Sequence, residues 1–165
     1  MDQDRKNMDS EHMQIRFRWT NGDDPAFQVF YLKTEEYYNA LVGGVENRTA
    51  FIPFNISESI PDALIAYDGE TAIGCAGLKQ YSDKDIEVKR VWVEPSYRKH
   101  HIAQEMMLRL EQKAKENGFE RMILQTRAIM TSAVHLYIQL GYQSIPNYPP
   151  YDKLDGAICF AKDLD

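Results

Sequence analysis

Cysteine is scarce: the chain of 165 residues has only Cys75 and Cys159, far apart and in no metal or redox spacing. That excludes a disulfide scaffold and a CxxC-type centre, and the pair reads as reduced core thiols of a cytosolic protein. No apolar run approaches membrane-spanning length, and the N-terminus lacks the basic-then-apolar pattern of a signal peptide. A soluble, cytoplasmic protein is expected. There is no internal repeat and no low-complexity segment. Basic residues are outnumbered, 19 Lys and Arg against 25 Asp and Glu, for a net charge of −6. Such a surface repels nucleic acid and anionic membrane, so neither is expected as a partner. The same field biases mildly toward a cationic substrate such as an amine.

What is present is a globular composition, 44% hydrophobic and 12% aromatic. A chain of this length forms one domain and buries about two-thirds of its unfolded surface, so it needs no metal or disulfide. Residues 1–12 are polar, without period, and read as a flexible leader; residues 13–165 form the domain. Met13 to Trp19 alternates as a strand, and Asn21 to Pro25 is a turn that can open a helix, with Phe27 to Val42 at helical spacing before Gly43-Gly44. Residues 45–61 give no clear pattern; a part in covering an acceptor pocket is the expectation.

Ala63–Tyr67, Asp68-Gly69 and Thr71–Leu78 read as a hairpin, and Ile86–Val93 as a third strand after the turn at Ser82–Asp85. A helix ends at Gly118, with Glu105/Arg109 and Glu111/Lys115 pairs four apart. Met122–Gln125 is a strand, Thr131–Leu140 a helix before Gly141, and Ala157–Ala161 a last strand. A meander, then β-α-β, then α-β describes an α/β fold: one mixed, mostly antiparallel sheet flanked by helices on both faces.

The richest stretch runs from Glu87 to Ala103. A β-rich run (Val88, Val91, Trp92, Val93) stops at Pro95, and a basic loop, Arg98-Lys99-His100-His101, leads into Ile102, Ala103, Met106, Met107 and Leu110 at helical spacing. Strand, basic loop and helix start in that order make an anion site: unpaired amides and the positive end of the helix dipole converge on a phosphate.

This segment resembles the GNAT-family N-acetyltransferases, whose Arg/Gln-x-x-Gly-x-Gly/Ala loop holds the pyrophosphate of acetyl-coenzyme A. Here it stands as Arg98-Lys99-His100-His101-Ile102-Ala103, with His101 for the central glycine and Lys99 for the glycine that often follows the arginine. Downstream, Ala133-Val134-His135-Leu136-Tyr137 through Gly141-Tyr142 resembles the family's Ala-x-x-Leu-Tyr-x-x-x-Gly-Phe/Tyr helix. The resemblance runs from Ala63 to the C-terminus, and the tail from Ile145 is similar to a bacterial subgroup of unassigned substrate.

The resemblance implies acetyl transfer from acetyl-CoA to a primary amine by direct attack, on a small molecule or a protein N-terminus. A homodimer is left open. It implies cofactor contacts from Arg98 to Ala103 and from the backbone of Val91, Trp92 and Val93, where the family's strand splays and the pantetheine arm adds like a strand. It gives Tyr137 the role of general acid, against core packing with Ala133 and Leu140. Glu87, eleven positions before Arg98, takes the place of the catalytic glutamate of the histone-acetyltransferase branch, against a plain pairing with Lys89. An amine protonated at neutral pH, with a pKa near ~10, needs such a base.

Met130 stands where many members carry a cofactor-binding asparagine and receives no role. Tyr148 and Tyr151, on a proline-rich loop, are candidates for the acceptor wall. His100 and His101 make no metal site, since adjacent histidines on a turn point apart and no third ligand is evident. Cys75, inside a strand, is a poor nucleophile. The rival readings are a CoA-binding module with little catalysis, and transfer of a longer acyl group.

Overall fold

The computed structural model describes residues 13–42 and 60–165. Its seven strands, β1 (Ile15–Thr20), β2 (Asp62–Asp68), β3 (Thr71–Gln80), β4 (Asp85–Val93), β5 (Arg121–Arg127), β6 (Gln143–Ile145) and β7 (Ala157–Asp163), form one sheet in the order β1-β2-β3-β4-β5-β7-β6. Every pairing is antiparallel except β4 with β5. The helices are α1 (Pro25–Val42), α2 (Ile102–Glu116) and α3 (Thr131–Gln139). The expected mixed sheet between helices is therefore found.

Local chemistry explains the element starts. Asp24 caps α1, its Oδ1 accepting the Ala26 amide at 2.9 Å, and Pro25 supplies a preset φ at the first turn. Gly69 turns the β2–β3 hairpin with φ +60°, and Gly118 closes α2 with φ +85°.

Each sheet face carries its own core. Met106, Met107, Leu110 and Ala114 of α2, all fully buried, lie against Leu64, Ala76, Leu78, Ile86 and Val88. On the other face, Phe27 and Phe30 of α1 pack with Ile65, Cys75 and Trp92. Burying side chains of that size stabilises by about 2 kcal/mol each.

One local expectation is corrected. Glu105 and Arg109 do pair, at 3.0 Å, but Glu111 does not serve as the surface partner of Lys115. It turns inward, where its Oε1 meets Lys162 Nζ at 2.6 Å and accepts from the Tyr142 hydroxyl at 3.4 Å. Residues four apart share a helix face, and Met107 and Ala114 put Glu111 on the buried one. The three-residue strand β6 and a 3-10 turn at Pro95–Tyr97 also escape the sequence pattern. The end of α1 at Gly43-Gly44 and almost all of residues 45–61 lie outside the described residues.

Among the described residues, no helix is long and apolar enough to cross a membrane. Nor is any group of three His, Cys, Asp or Glu side chains placed to hold a metal ion.

Candidate active site

The sheet opens between β4 and β5. Their parallel pairing runs only through Asp85–Arg121, Ile86–Met122 and Glu87–Ile123. Beyond that point β5 stays paired with β7 as far as Arg127, while β4 continues to Val93 without a strand on its β5 side. The two strands diverge, and a cleft lined by Glu87, Lys89, Arg90, Gln125, Arg127 and Tyr151 fills the fork.

A bulge in β4 shapes that wall. Against β3, Trp92 faces Cys75 and Lys89 faces Gly77, so Arg90 and Val91 together oppose Ala76. Arg90 adopts φ +60°, the left-handed region that costs a non-glycine residue about 1 kcal/mol or more. Glycines on β3 make room for this. A Cβ on Gly74 would stand 2.8 Å from the Trp92 carbonyl oxygen, and one on Gly77 would stand 3.2 Å from that of Lys89. Ile86, Val88, Val91 and Val93 face the α2 side, whereas Arg90 pairs with Glu35 of α1 at 3.0 Å and covers the Tyr31 ring. The extra residue thus places Lys89 and Arg90 in succession on the α1 face. Glycines three apart inside the third strand were the signal that could have located this bulge.

Glu87 is buried at the base of the fork and well held. The Tyr148 hydroxyl donates to its Oε2 at 2.6 Å, and Lys89 Nζ lies 3.2 Å from Oε1. Lys89 Nζ also donates to the Tyr151 hydroxyl at 2.8 Å, and Tyr151 in turn bonds Glu87. Burial, opposed by the Glu87 charge, lowers the Lys89 pKa. Burial first, and the Glu87 charge second, push the phenols of Tyr148 and Tyr151 well above their ordinary range. Glu87 and both loop tyrosines are thus brought together, and the plain pairing of Glu87 with Lys89 is also present.

Tyr137 is the one buried side chain of α3 and shares the core with Tyr142 and Phe160. Desolvation first, then the Tyr38 phenol, raise its pKa well above the usual phenol value. Tyr38 and Met130 line the cleft.

At the far end of β4 the basic loop leads into α2. Lys99 and His101 both take left-handed conformations, φ +66° and +62°. These are the positions where the resembling family carries glycine, so the backbone keeps a glycine-like path in spite of the side chains. The amides of Ile102, Ala103 and Gln104, in the first turn of α2, have no intrahelical acceptor. His101 Nδ1 lies 3.2 Å from Gln104 Oε1.

Arg98 behaves differently from the rest of the loop. Its Nε donates to the Val93 carbonyl at 3.0 Å, and its guanidinium lies over the Trp92 and Tyr37 rings. Trp92 is a buried packing residue. Both cysteines are buried, and desolvation drives the Cys75 thiol far above its usual pKa, which makes it a poor nucleophile.

A forked sheet with the start of a helix at its mouth is the layout of an acyl-CoA N-acyltransferase fold. The chain belongs to the acetyltransferase (GNAT) family, whose profile matches residues 4–142. That match reaches further toward the N-terminus than the motif resemblance did. The uncharacterized N-acetyltransferase YjgM of Escherichia coli K12 is 32% identical over 85 residues, 50% of this chain and 50% of that protein. The match therefore spans about half the length of that curated relative.

Among solved structures, a proposed acyl-CoA N-acyltransferase from Klebsiella pneumoniae is similar at TM-score 0.76 and 20% identity, covering 92% of this chain and 99% of that one. A GNAT-family acetyltransferase from Elizabethkingia anophelis with acetyl-CoA bound is similar at TM-score 0.67 and 17% identity, covering 91% and 98%. These structural likenesses concern the fold.

Proposed function

We propose that this protein transfers an acetyl group from acetyl-CoA to a primary amine by direct attack, with no covalent enzyme intermediate. The observation that carries the reading is the fork: β4 pairs with β5 over three residue pairs and then offers its edge from Val88 to Val93 to a ligand. An open edge of this kind accepts an extended amide-bearing arm as an added strand. The backbone of Val91, Trp92 and Val93 takes the pantetheine. The loop from Arg98 through Lys99, His100, His101, Ile102 and Ala103 takes the pyrophosphate. The amides supply that contact, while the Arg98 side chain braces the loop against the Val93 carbonyl and Trp92.

Glu87 accepts the proton of the attacking ammonium, directly or through water, and so frees the nitrogen lone pair. As the new C–N bond forms and the C–S bond breaks, Tyr137 donates its phenolic proton to the departing thiolate, and the second proton shed by the amide nitrogen returns to the Tyr137 phenolate through water. Its raised pKa makes it a weak acid, but the dry surroundings that raise it also make a thiolate beside it more basic. Tyr148 and Tyr151 form the acceptor wall and hold the Glu87 carboxylate in place.

The experiment is thermal denaturation with acetyl-CoA, coupled to thiol release in the presence of amines. At a hundredfold excess over the dissociation constant, binding adds about 2.7 kcal/mol of stability. Tyr137→Phe keeps that shift and loses turnover, because only the hydroxyl is removed. No shift at saturating acetyl-CoA contradicts the reading.

A further inference from the structure

Lys89 is paired like a structural lysine but placed like a substrate. Glu87 and Lys89 stand two apart on β4 ahead of the bulge, so both side chains leave the same face of the strand. Among the described residues lining the cleft, Lys89 is the one lysine. Its Nζ lies 3.2 Å from Glu87 Oε1 and 2.8 Å from the Tyr151 hydroxyl, with the side chain 15% exposed. A primary amine therefore already stands beside the carboxylate that takes the acceptor's proton in the reading above, within the reach that general-base transfer needs.

The direction of the fork brings the thioester to the same point. The loop from Arg98 to Ala103 follows Val93, so an arm anchored there by its phosphates runs back along the free edge of β4 from Val93 toward Val88. That edge closes at Glu87, the last residue of β4 to pair with β5. The reactive end of the arm thus meets the closed end of the fork, next to Lys89. Lys162 is the comparison within the molecule. It is paired as closely, at 2.6 Å from Glu111, but lines no part of this cleft. Burial also favours the neutral form of Lys89, against the pull of the Glu87 charge, and only a neutral nitrogen attacks a carbonyl carbon.

We propose that Lys89 is an acetylation site, modified by the protein's own transferase activity when no competing amine is present. This rests on the acetyl-transfer reading and adds an internal acceptor to it. The Lys89 ammonium gives one proton to Glu87, and the neutral nitrogen attacks the acetyl carbonyl carbon. The C–N bond forms as the C–S bond breaks. Tyr137 protonates the departing thiolate, and the second nitrogen proton returns to its phenolate through water. The proton on Glu87 leaves for solvent, so the products are a neutral Lys89 amide, free coenzyme A and one proton. The amide has lost its ion pair with Glu87, and its acetyl group takes the place of an external acceptor. Each chain therefore reacts once.

The test incubates the protein with saturating acetyl-CoA and no added amine, and reads thiol release, intact mass and peptide maps. One acetyl group per chain is expected, mapped to Lys89, at a first-order rate independent of protein concentration. The exposed Lys84 and the core-paired Lys162 should lag by about a hundredfold or more, since neither stands at the fork. Glu87→Gln should slow the modification of Lys89 by about a hundredfold at neutral pH and leave the background at Lys84 unchanged. Lys89→Arg keeps the cation and should carry no acetyl group above that background. Lys84 or Lys162 modified as fast as Lys89, a rate that rises with protein concentration, or a Lys89 rate untouched by Glu87→Gln overturns the proposal. So does an unmodified Lys89 in a protein that acetyl-CoA stabilises, and thiol release with external amines then tells whether acetyl transfer itself stands. Failure of acetyl-CoA to bind at all removes the transfer reading and this inference with it.

Discussion

Two glutamates are buried in this molecule to nearly the same degree, Glu87 at 6% exposure and Glu111 at 7%. Each is matched by a lysine, Lys89 at 3.2 Å and Lys162 at 2.6 Å, and each accepts a tyrosine hydroxyl, from Tyr148 and Tyr142. By burial and pairing alone they are the same device. They differ in what lies on the open side. Glu111 sits beneath α2 against β7 and the Tyr142 ring, within the packed core. Glu87 sits where β4 parts from β5 and lines the cleft. A buried ion pair is thus no mark of function by itself. Function is read from the access of a reacting group to the carboxylate.

The largest effect expected from this contrast is on turnover. Glu87→Gln removes the proposed proton acceptor and should lower kcat by about a hundredfold or more at neutral pH, with acetyl-CoA affinity intact. Glu111→Gln should leave kcat within a factor of about two, since it touches no part of the cleft. Steady-state kinetics on both variants check the pair.

Next in size is stability. Glu111→Gln breaks a buried pair that bridges α2 and β7 and leaves Lys162 without that partner. Because the lysine is partly exposed, the cost should be about 2 kcal/mol, a loss of roughly 5 °C in Tm. An unchanged Tm would mean that the core pair is energetically neutral and would weaken the contrast from its structural side.

The smallest effects are those of the two tyrosines. Tyr148→Phe removes one donor to Glu87 and should lower kcat about fivefold, a loss near 1 kcal/mol. Tyr142→Phe should lower stability by a similar amount with kcat unmoved. A shared loss of kcat would erase the distinction between the two clusters.

The contrast was only half legible in the sequence. Alternation and turn chemistry located the hairpin β2–β3, the strand β4 and the helices, because each announces itself within a few residues. Glu87 was singled out as a candidate by its offset from Arg98, a matter of position along one segment. Its partner Tyr148 lies 61 residues further on, and no local pattern reports that the loop folds back over β4.

Glu111 was read as the partner of Lys115 because charge pairs four apart are common on helices. Its place between Met107 and Ala114 was the overlooked sign of an inward side chain. The bulge was hidden for another reason. Its left-handed residue is an arginine, so the usual glycine flag stands on the neighbouring strand, at Gly74 and Gly77. The loop ahead of α2 shows the same displacement of signal, with Lys99 and His101 holding conformations that glycine ordinarily marks.

The most direct test of the account is the pH dependence of kcat for Glu87→Gln and Glu111→Gln beside the parent, with acetyl-CoA saturating and a single amine acceptor. The account predicts that Glu87→Gln is nearly inactive at neutral pH and climbs about tenfold per pH unit toward the amine's own pKa near 10, while Glu111→Gln follows the parent throughout. Parallel profiles for all three proteins, with chemistry shown to be rate-limiting, would contradict it.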